Sequence, residues 1–405
     1  MKLSYALASL CLQEEEDDDN EEEDIIFVLF YEKNRSWRDR LTLQERRNRS
    51  SVIRGGALMA PHSSPFMHLF NSGQDDALIT LCGFDHRTFR LLLELFDPLY
   101  EGYVICQETG LLRACRLTKK GKKVGRKRDF TSQMLLGLTL AWTRTRGSLK
   151  VLQIIFGFTS APLSRWIRYG RRLLVMCLRH HPDSAIKLPT REEIAQFQVA
   201  ISSMYTSIPN VYAALDGLKL TLEQAGDDDT QNAFYNGWTC DHYVSCLFLF
   251  TPDGRIRAAY LNAPGSWHDS TNALFSGIYK KVDWLYQQTG GQVVVDSAFG
   301  TANRKSMIKS HQSNFDTHGN IRQHSQVHKD ATSVRQMSEW GMKGFQGSFP
   351  RIHDRIIYEE AGERRVILTL ITLLYNYRAS VLGYNQIQSV FMPHLNTDTN
   401  LYLLG

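Results

Sequence analysis

Two short apolar runs that each end in aspartate constrain this 405-residue chain more than anything else in it. They are Val-Tyr-Ala-Ala-Leu-Asp-Gly at 211–217 and Gln-Val-Val-Val-Asp-Ser-Ala-Phe-Gly at 292–300. Apolar and β-branched residues bounded by turn formers read as buried strands. A carboxylate at the end of such a strand lies at the edge of a core sheet, where binding sites form. Two more acids have distinctive surroundings. Asp269 sits in Pro-Gly-Ser-Trp-His-Asp-Ser at 264–270, and Glu339 opens Glu-Trp-Gly-Met-Lys-Gly-Phe at 339–345. Any one of them alone reads as a turn or cap residue. Four converging carboxylates would repel one another unless a divalent cation neutralised them. The set Asp216, Asp269, Asp296 and Glu339 therefore reads as a Mg²⁺ or Mn²⁺ site suited to phosphoryl transfer.

The residues around these acids outline an α/β fold. The runs 244–250 and 255–262 are separated by Thr251-Pro252-Asp253-Gly254, a hairpin signal. Helical spacing is expected over 271–279, over 333–345 around Glu339, and over 366–377. Three strands, a crossover and a fourth strand give a mixed sheet with flanking helices. The acids of Gly226-Asp227-Asp228-Asp229 read as a solvated turn. The polar stretch 301–330 reads as a loop, because His311, His318, His324 and His328 match no zinc spacing.

The first half is helical and basic in places. Residues 117–128 hold seven Lys or Arg in twelve positions, namely Lys119, Lys120, Lys122, Lys123, Arg126, Lys127 and Arg128. Such a patch binds phosphates, serves as a nuclear import signal, or is simply solvated. Thr131 or Ser132 can cap a helix that contains Leu135, Leu138 and Trp142. Next come a helix over 149–156, a turn at Gly157-Phe158-Thr159-Ser160, and a third helix from Leu163 to about Leu178, with Pro162 at its start. This is a helix-turn-helix pattern in which Ser164, Arg165 and Arg168 are the candidate DNA contacts, with Arg171 and Arg172 further along. Leu163, Trp166, Ile167 and Leu174 would pack inward. A purely structural helical bundle is the other reading of the same pattern.

Composition excludes several classes. With 43% apolar and 22% charged residues the chain is ordinary globular material. Ten acids in eleven positions at 14–24, followed by a basic segment at 33–54, read as a solvated, disordered tail. The seven cysteines form no Cys-x-x-Cys pair, which argues against a zinc knuckle or a disulfide framework. The apolar start runs straight into acids without a clear cleavage site, and no stretch is long enough to span a bilayer. No membrane partner is expected.

Four stretches also carry a family resemblance. Ala-Leu-Asp-Gly-Leu-Lys-Leu at 214–220 and Tyr-Asn-Gly-Trp-Thr-Cys-Asp-His-Tyr at 235–243 resemble the PIF/Harbinger group of DDE transposases. Phe-Leu-Phe-Thr-Pro-Asp-Gly-Arg-Ile at 248–256 and Leu-Asn-Ala-Pro-Gly-Ser-Trp-His-Asp-Ser at 261–270 are similar to the same group. The match runs from about 216 to about 376. It implies an RNase H-like catalytic domain that cuts and rejoins DNA, with an acidic triad at Asp216, Asp296 and Glu339 and with Asp269 as an additional metal-site residue. Two segments depart from the family pattern. Gly-Asp-x-Gly-Tyr is replaced by Val295-Asp296-Ser297-Ala298-Phe299. In place of Glu-x-x-Phe-Gly-x-Leu-Lys, this chain sets Trp340, Gly341 and Met342 directly after Glu339.

The resemblance further implies double-stranded DNA with terminal inverted repeats as substrate and a Myb-like accessory protein as partner. The expectation includes a homo-oligomer on DNA and a nuclear location. His268 and Lys343 are candidate phosphate contacts. The expected organisation is a tail at 1–55, a helical DNA-binding region at 56–205, an RNase H-like nuclease domain at 206–385, and a tail at 386–405. The expected activity is two-metal endonuclease and transposase chemistry. The alternative is a domesticated DNA-binding protein that does not cleave.

Overall fold

A computed structural model describes residues 53–105, 112–115, 128, 130–224, 228–237, 239–300, 304–310, 325–356, 361–383 and 385–393. Helices come first: α1 (Pro65–Ser72), α2 (Asp75–Cys82) and α3 (His86–Gly102). A small antiparallel pair, β1 (Tyr103–Ile105) and β2 (Leu112–Ala114), comes after α3. Then come α4 (Ser132–Arg144), α5 (Lys150–Phe156), α6 (Ser160–Leu178) and α7 (Arg191–Ser202). Thr131 caps α4 by accepting the Met134 N–H, and every residue from Met134 to Thr143 is buried. An all-round buried helix marks the middle of a core rather than its surface.

The rest alternates strands and helices: β3 (Val211–Thr221), α8 (Asp228–Phe234), β4 (Tyr235–Asn236), β5 (Asp241–Phe250) and β6 (Ile256–Pro264). After these stand α9 (Asp269–Phe275), α10 (Ile278–Thr289), β7 (Gln292–Val295), β8 (Met307–Lys309), α11 (Gln326–Ser348), α12 (Ala361–Leu382) and α13 (Gln386–Phe391). β3 is central. It pairs antiparallel with β5, which pairs with β6, and parallel with β7, which pairs with β8. The short β4 lies beside the start of β5. This mixed sheet with helices is compatible with the RNase H-like expectation.

Side chains alternate across the sheet. On one face Phe248 and Phe250 pack against Phe345 of α11 and Tyr375 of α12. Fully burying each such side chain contributes about 1.5–3 kcal/mol. Tyr212 of β3 and Ile194 of α7 both close on Gly291, just before β7.

Several expectations changed in the structure. The stretch 301–330 contains a further strand, β8, whose Val293↔Met307 register extends the parallel side. Three residues are too short to show a strand period. His311, His318 and His324 lie outside the described residues, whereas His328 opens α11 beside the Ser325 hydroxyl, 2.7 Å away. The helix expected over 271–279 is two, α9 and α10, broken at Ser276-Gly277. Residues 386–391, expected within a tail, form a helix. α13 buries Ile387 and Phe391, and the Phe391 ring lies 6.4 Å from Trp340 of α11.

The helical half is not set apart from the sheet. α6 packs on both α4 and α12. Leu163, Ile167 and Leu174 are buried as expected, and Trp166 stacks on Phe130 at 5.2 Å. Three arginines of the basic stripe of α6 turn toward α12. Arg171 lies 2.9 Å from Glu363 of α12, Arg172 also binds Glu363, and Arg168 lies 3.8 Å from it. Among the described residues no helix is long and apolar enough to cross a membrane.

Candidate active site

The parallel β3–β7 ladder ends at the pair Leu215↔Val295. Asp216 and Asp296 are the next residues on each side, so two carboxylates leave the sheet from adjacent strands, which run about 4.8 Å apart. β3 continues past this point along β5, where Asp216 pairs with Phe248. Asp216 is thus fixed by the ladder on one side while β7 gives way on the other.

The face that Asp216 presents is covered by α11. Ser338 donates to Asp216 Oδ2 at 3.2 Å, and Arg335 Nη1 lies 3.3 Å from the same oxygen. Asp216 Oδ1 accepts the Gly217 N–H at 2.8 Å. Arg335 also binds Glu339, one helical turn later, through its other Nη. One guanidinium therefore bridges the carboxylates of β3 and α11. Burial pushes the Asp216 carboxyl up to about 6, and the nearby Asp296 charge adds to this. The Gly217 N–H, Arg335 and Ser338 oppose the shift without cancelling it. Asp296 Oδ1 accepts the Ala298 N–H at 2.8 Å, and the buried Phe299 anchors the turn.

Asp269 approaches from the other side. Its carboxylate oxygens occupy the space where a Cβ on residue 217 would stand, 2.5–2.7 Å from that position. Successive residues of a strand point to opposite faces, so Asp269 lies on the face opposite Asp216. Glycine at 217 leaves room for this approach. Gly265 serves the same motif one step earlier. A Cβ there would stand 2.2 Å from the Tyr243 carbonyl oxygen, so Pro-Gly-Ser can run tightly along β5 and deliver His268 and Asp269 to the site. Burial raises the Asp269 carboxyl. Asp296 raises it further, against the pull of Lys219, His268 and Asn272.

Asp216, Asp296 and, through Arg335, Glu339 thus share one region, with Asp269 beyond Gly217. As the side chains stand, no three acidic, His or Cys groups among the described residues converge tightly enough to hold an ion. The donor set itself suits one. It consists of carboxylate oxygens, which favour hard divalent cations. Its charges disfavour one another, and the structure already sets a cation between two of them.

The expected DNA contacts fare unequally. Lys119, Lys120, Lys122, Lys123, Arg126 and Lys127 lie outside the described residues. Arg128 is described and is committed to the interior. It donates to the carbonyls of Tyr100 and Tyr103 and lies over the Tyr100 ring at 4.3 Å. Ser164 and Arg165 are exposed on the first turns of α6, whereas Arg168 faces Glu363. His268 and Lys343 are both exposed. Arg335 and Ser338 were missed by sequence reasoning. The signal that could have found the first was the spacing of Arg335 four residues before Glu339 on a helix.

Residues 215–376 match the family model of the DDE superfamily endonucleases. The matched segment begins one residue before Asp216 and takes in Asp269, Asp296, Arg335 and Glu339. It ends at Asn376, a buried residue of α12 whose amide bonds both the N–H and the C=O of Ile256, at 2.7 and 2.9 Å. This similarity supports a nuclease acting on DNA, in a family that generally uses divalent metals. Comparison with curated proteins and with solved structures gives no match.

Proposed function

We propose that this chain is a metal-dependent DNA endonuclease of DDE transposase type, in the PIF/Harbinger manner. The observation that carries the reading is the placement of Asp216 and Asp296 one residue past the last parallel pair, with α11 bringing Glu339 to the same side. Asp216, Asp296 and Glu339 would hold Mg²⁺ or Mn²⁺. A bound ion supplies activation of the attacking water or 3′-hydroxyl and stabilisation of the leaving oxygen.

The chain's own groups prepare that chemistry. The Gly217 N–H and the Ser338 hydroxyl orient the Asp216 carboxylate. The Ala298 N–H orients Asp296. Asp269, held against Gly217, adds negative charge behind β3 and acts as an outer orienter of the site. Exposed His268 and Lys343 flank the acids and suit contacts to DNA phosphates. Ser164 and Arg165 of α6, with the lysine-rich stretch 119–127, are the proposed duplex contacts.

In this reading the substrate is double-stranded DNA bearing terminal inverted repeats. The protein works in the nucleus as a homo-oligomer on that DNA, with a Myb-like accessory protein. The test is cleavage of DNA carrying candidate element ends in Mg²⁺ or Mn²⁺, comparing wild type with Asp296→Ala. Metal-dependent cuts that vanish in the variant support the reading. Tight binding without cuts, with nuclear extract supplied, moves the chain to the domesticated DNA-binding alternative.

A further inference from the structure

We propose that Arg335 is a positioning residue of the active site: a tethered cation that holds Asp216 and Glu339 in the metal-free protein, must leave them when a divalent ion enters, and thereby sets the affinity of the site for metal. This deepens the nuclease reading and rests on it.

The geometry is specific. Arg335 reaches two carboxylates on different elements, Asp216 Oδ2 on β3 at 3.3 Å and Glu339 Oε1 four residues along α11. The planar guanidinium presents five N–H donors in a fixed fork, which suits two acceptors in different directions. Its side chain is about a quarter exposed, against 13% for Asp216 and 50% for Glu339. The contact with Asp216 is therefore the sheltered one, and the contact with Glu339 opens to solvent.

Competition arises from the occupied oxygens. Asp216 Oδ1 accepts the Gly217 N–H and Oδ2 is shared by Arg335 and Ser338. About three of the carboxylate's roughly four acceptor sites are thus filled, and an ion held by Asp216 and Glu339 would meet Arg335 there. On Glu339, Oε1 is likewise engaged by Arg335. A guanidinium and a divalent ion at the same two carboxylates would also repel each other, most on the sheltered Asp216 side. Metal entry thus exchanges one cation for another. The acids stay ordered before metal arrives, and metal affinity is reduced by the cost of releasing Arg335.

The test uses the full chain as wild type, Arg335→Gln and Arg335→Lys. Mn²⁺ binding is monitored by the paramagnetic resonance of free Mn²⁺, and melting is measured with and without metal. Arg335→Gln should bind Mn²⁺ roughly tenfold tighter, in keeping with the loss of a nearby competing charge. It should melt lower than wild type without metal and recover with Mn²⁺. Arg335→Lys keeps the charge but cannot fork between two acids, so its affinity should fall between the two. If the Gln variant does not fold, tighter Mn²⁺ binding by the Lys variant carries the proposal. Equal or weaker binding by the folded variants, with wild type binding Mn²⁺, overturns it and leaves the nuclease reading intact. Absence of Mn²⁺ binding by wild type and variants alike overturns both.

Discussion

Asp216 and Asp296 stand one residue beyond the same register pair, Leu215↔Val295, on neighbouring parallel strands. Parallel pairing makes this juxtaposition a property of the sheet, since the register that pairs Leu215 with Val295 sets the next residue of each strand side by side. The burial that fixes Asp216 also makes its charge costly, and Arg335 answers it with a cation.

The first prediction concerns these two acids. Asp216→Asn and Asp296→Ala should each lower metal-dependent DNA cutting by at least about a hundredfold, because even outer partners of metal sites cost 10–100-fold. Circular dichroism should remain that of the wild type, since Asp296 lies just past the end of β7 and asparagine at 216 keeps the shape of the Asp216 side chain within β3. Cutting at wild-type rate by either variant would remove that residue from the catalytic set.

Asp216 also predicts a pH dependence. Its carboxyl is raised from 3.8 to about 6, first by burial. Between those values the folded protein holds a proton that the unfolded chain has lost. The group's stabilising contribution is therefore full below pH 3.8 and disappears as pH rises through about 6. The Tm of metal-free wild type relative to Asp216→Asn should fall as pH is taken from about 4 to about 7. Mg²⁺ at neutral pH should reverse the fall by favouring the ionised form. A difference in Tm that ignores pH would contradict a raised Asp216.

Much of this site was legible because its carriers are local patterns. The runs 211–217 and 292–295 showed as strands through their Val, Ala and Leu content, and the hairpin showed through Pro252 and Gly254 at its turn. What stayed hidden depends on distance along the chain. Arg168, Arg171 and Arg172 look like an outward basic stripe until Glu363, about 190 residues later, is folded against them. The bridging role of Arg335 needed the phase of α11 relative to β3, which helical spacing alone does not provide. The position of Asp269 opposite Asp216 needed the pleat of β3, although Gly217 marked the place.

Gly217 supplies the third prediction. Alanine there would set its Cβ 2.5–2.7 Å from the Asp269 carboxylate, closer than any such contact tolerates. Either Asp269 or β3 must shift, at a cost of about 1–3 kcal/mol for an overpacked site. Gly217→Ala should therefore lower both Tm and cutting rate, and Gly217→Ala combined with Asp269→Ala should recover Tm relative to the single variant. Failure of the double variant to recover would show that the glycine is required for some reason other than room for Asp269.

The last prediction tests whether the helical half and the sheet are separable. Glu363 of α12 is nearly buried and answers three arginines of α6. Burial by itself pushes its carboxyl up, but Arg171, Arg172 and Arg168 together hold it below the usual carboxylate value. Glu363 therefore stabilises the fold above its ordinary 4.5 and loses that contribution as pH falls through its lowered value, the opposite sign to Asp216. Removing one partner of a buried ion cluster strands the others, and Glu363→Ala should cost about 3–5 kcal/mol. Because the cluster joins α6 to α12 and α6 also packs on α4, that loss should reach both halves at once. Chemical denaturation should show one transition for wild type, read equally by fluorescence and circular dichroism, and one displaced transition for Glu363→Ala. The sheet region expressed alone from about residue 206 would then expose the α12 surface that α6 covers and fail to give a cooperative melt. Two independent transitions in the full chain would mean that α6 and α12 belong to separately folding units, and that Glu363 only docks one against the other.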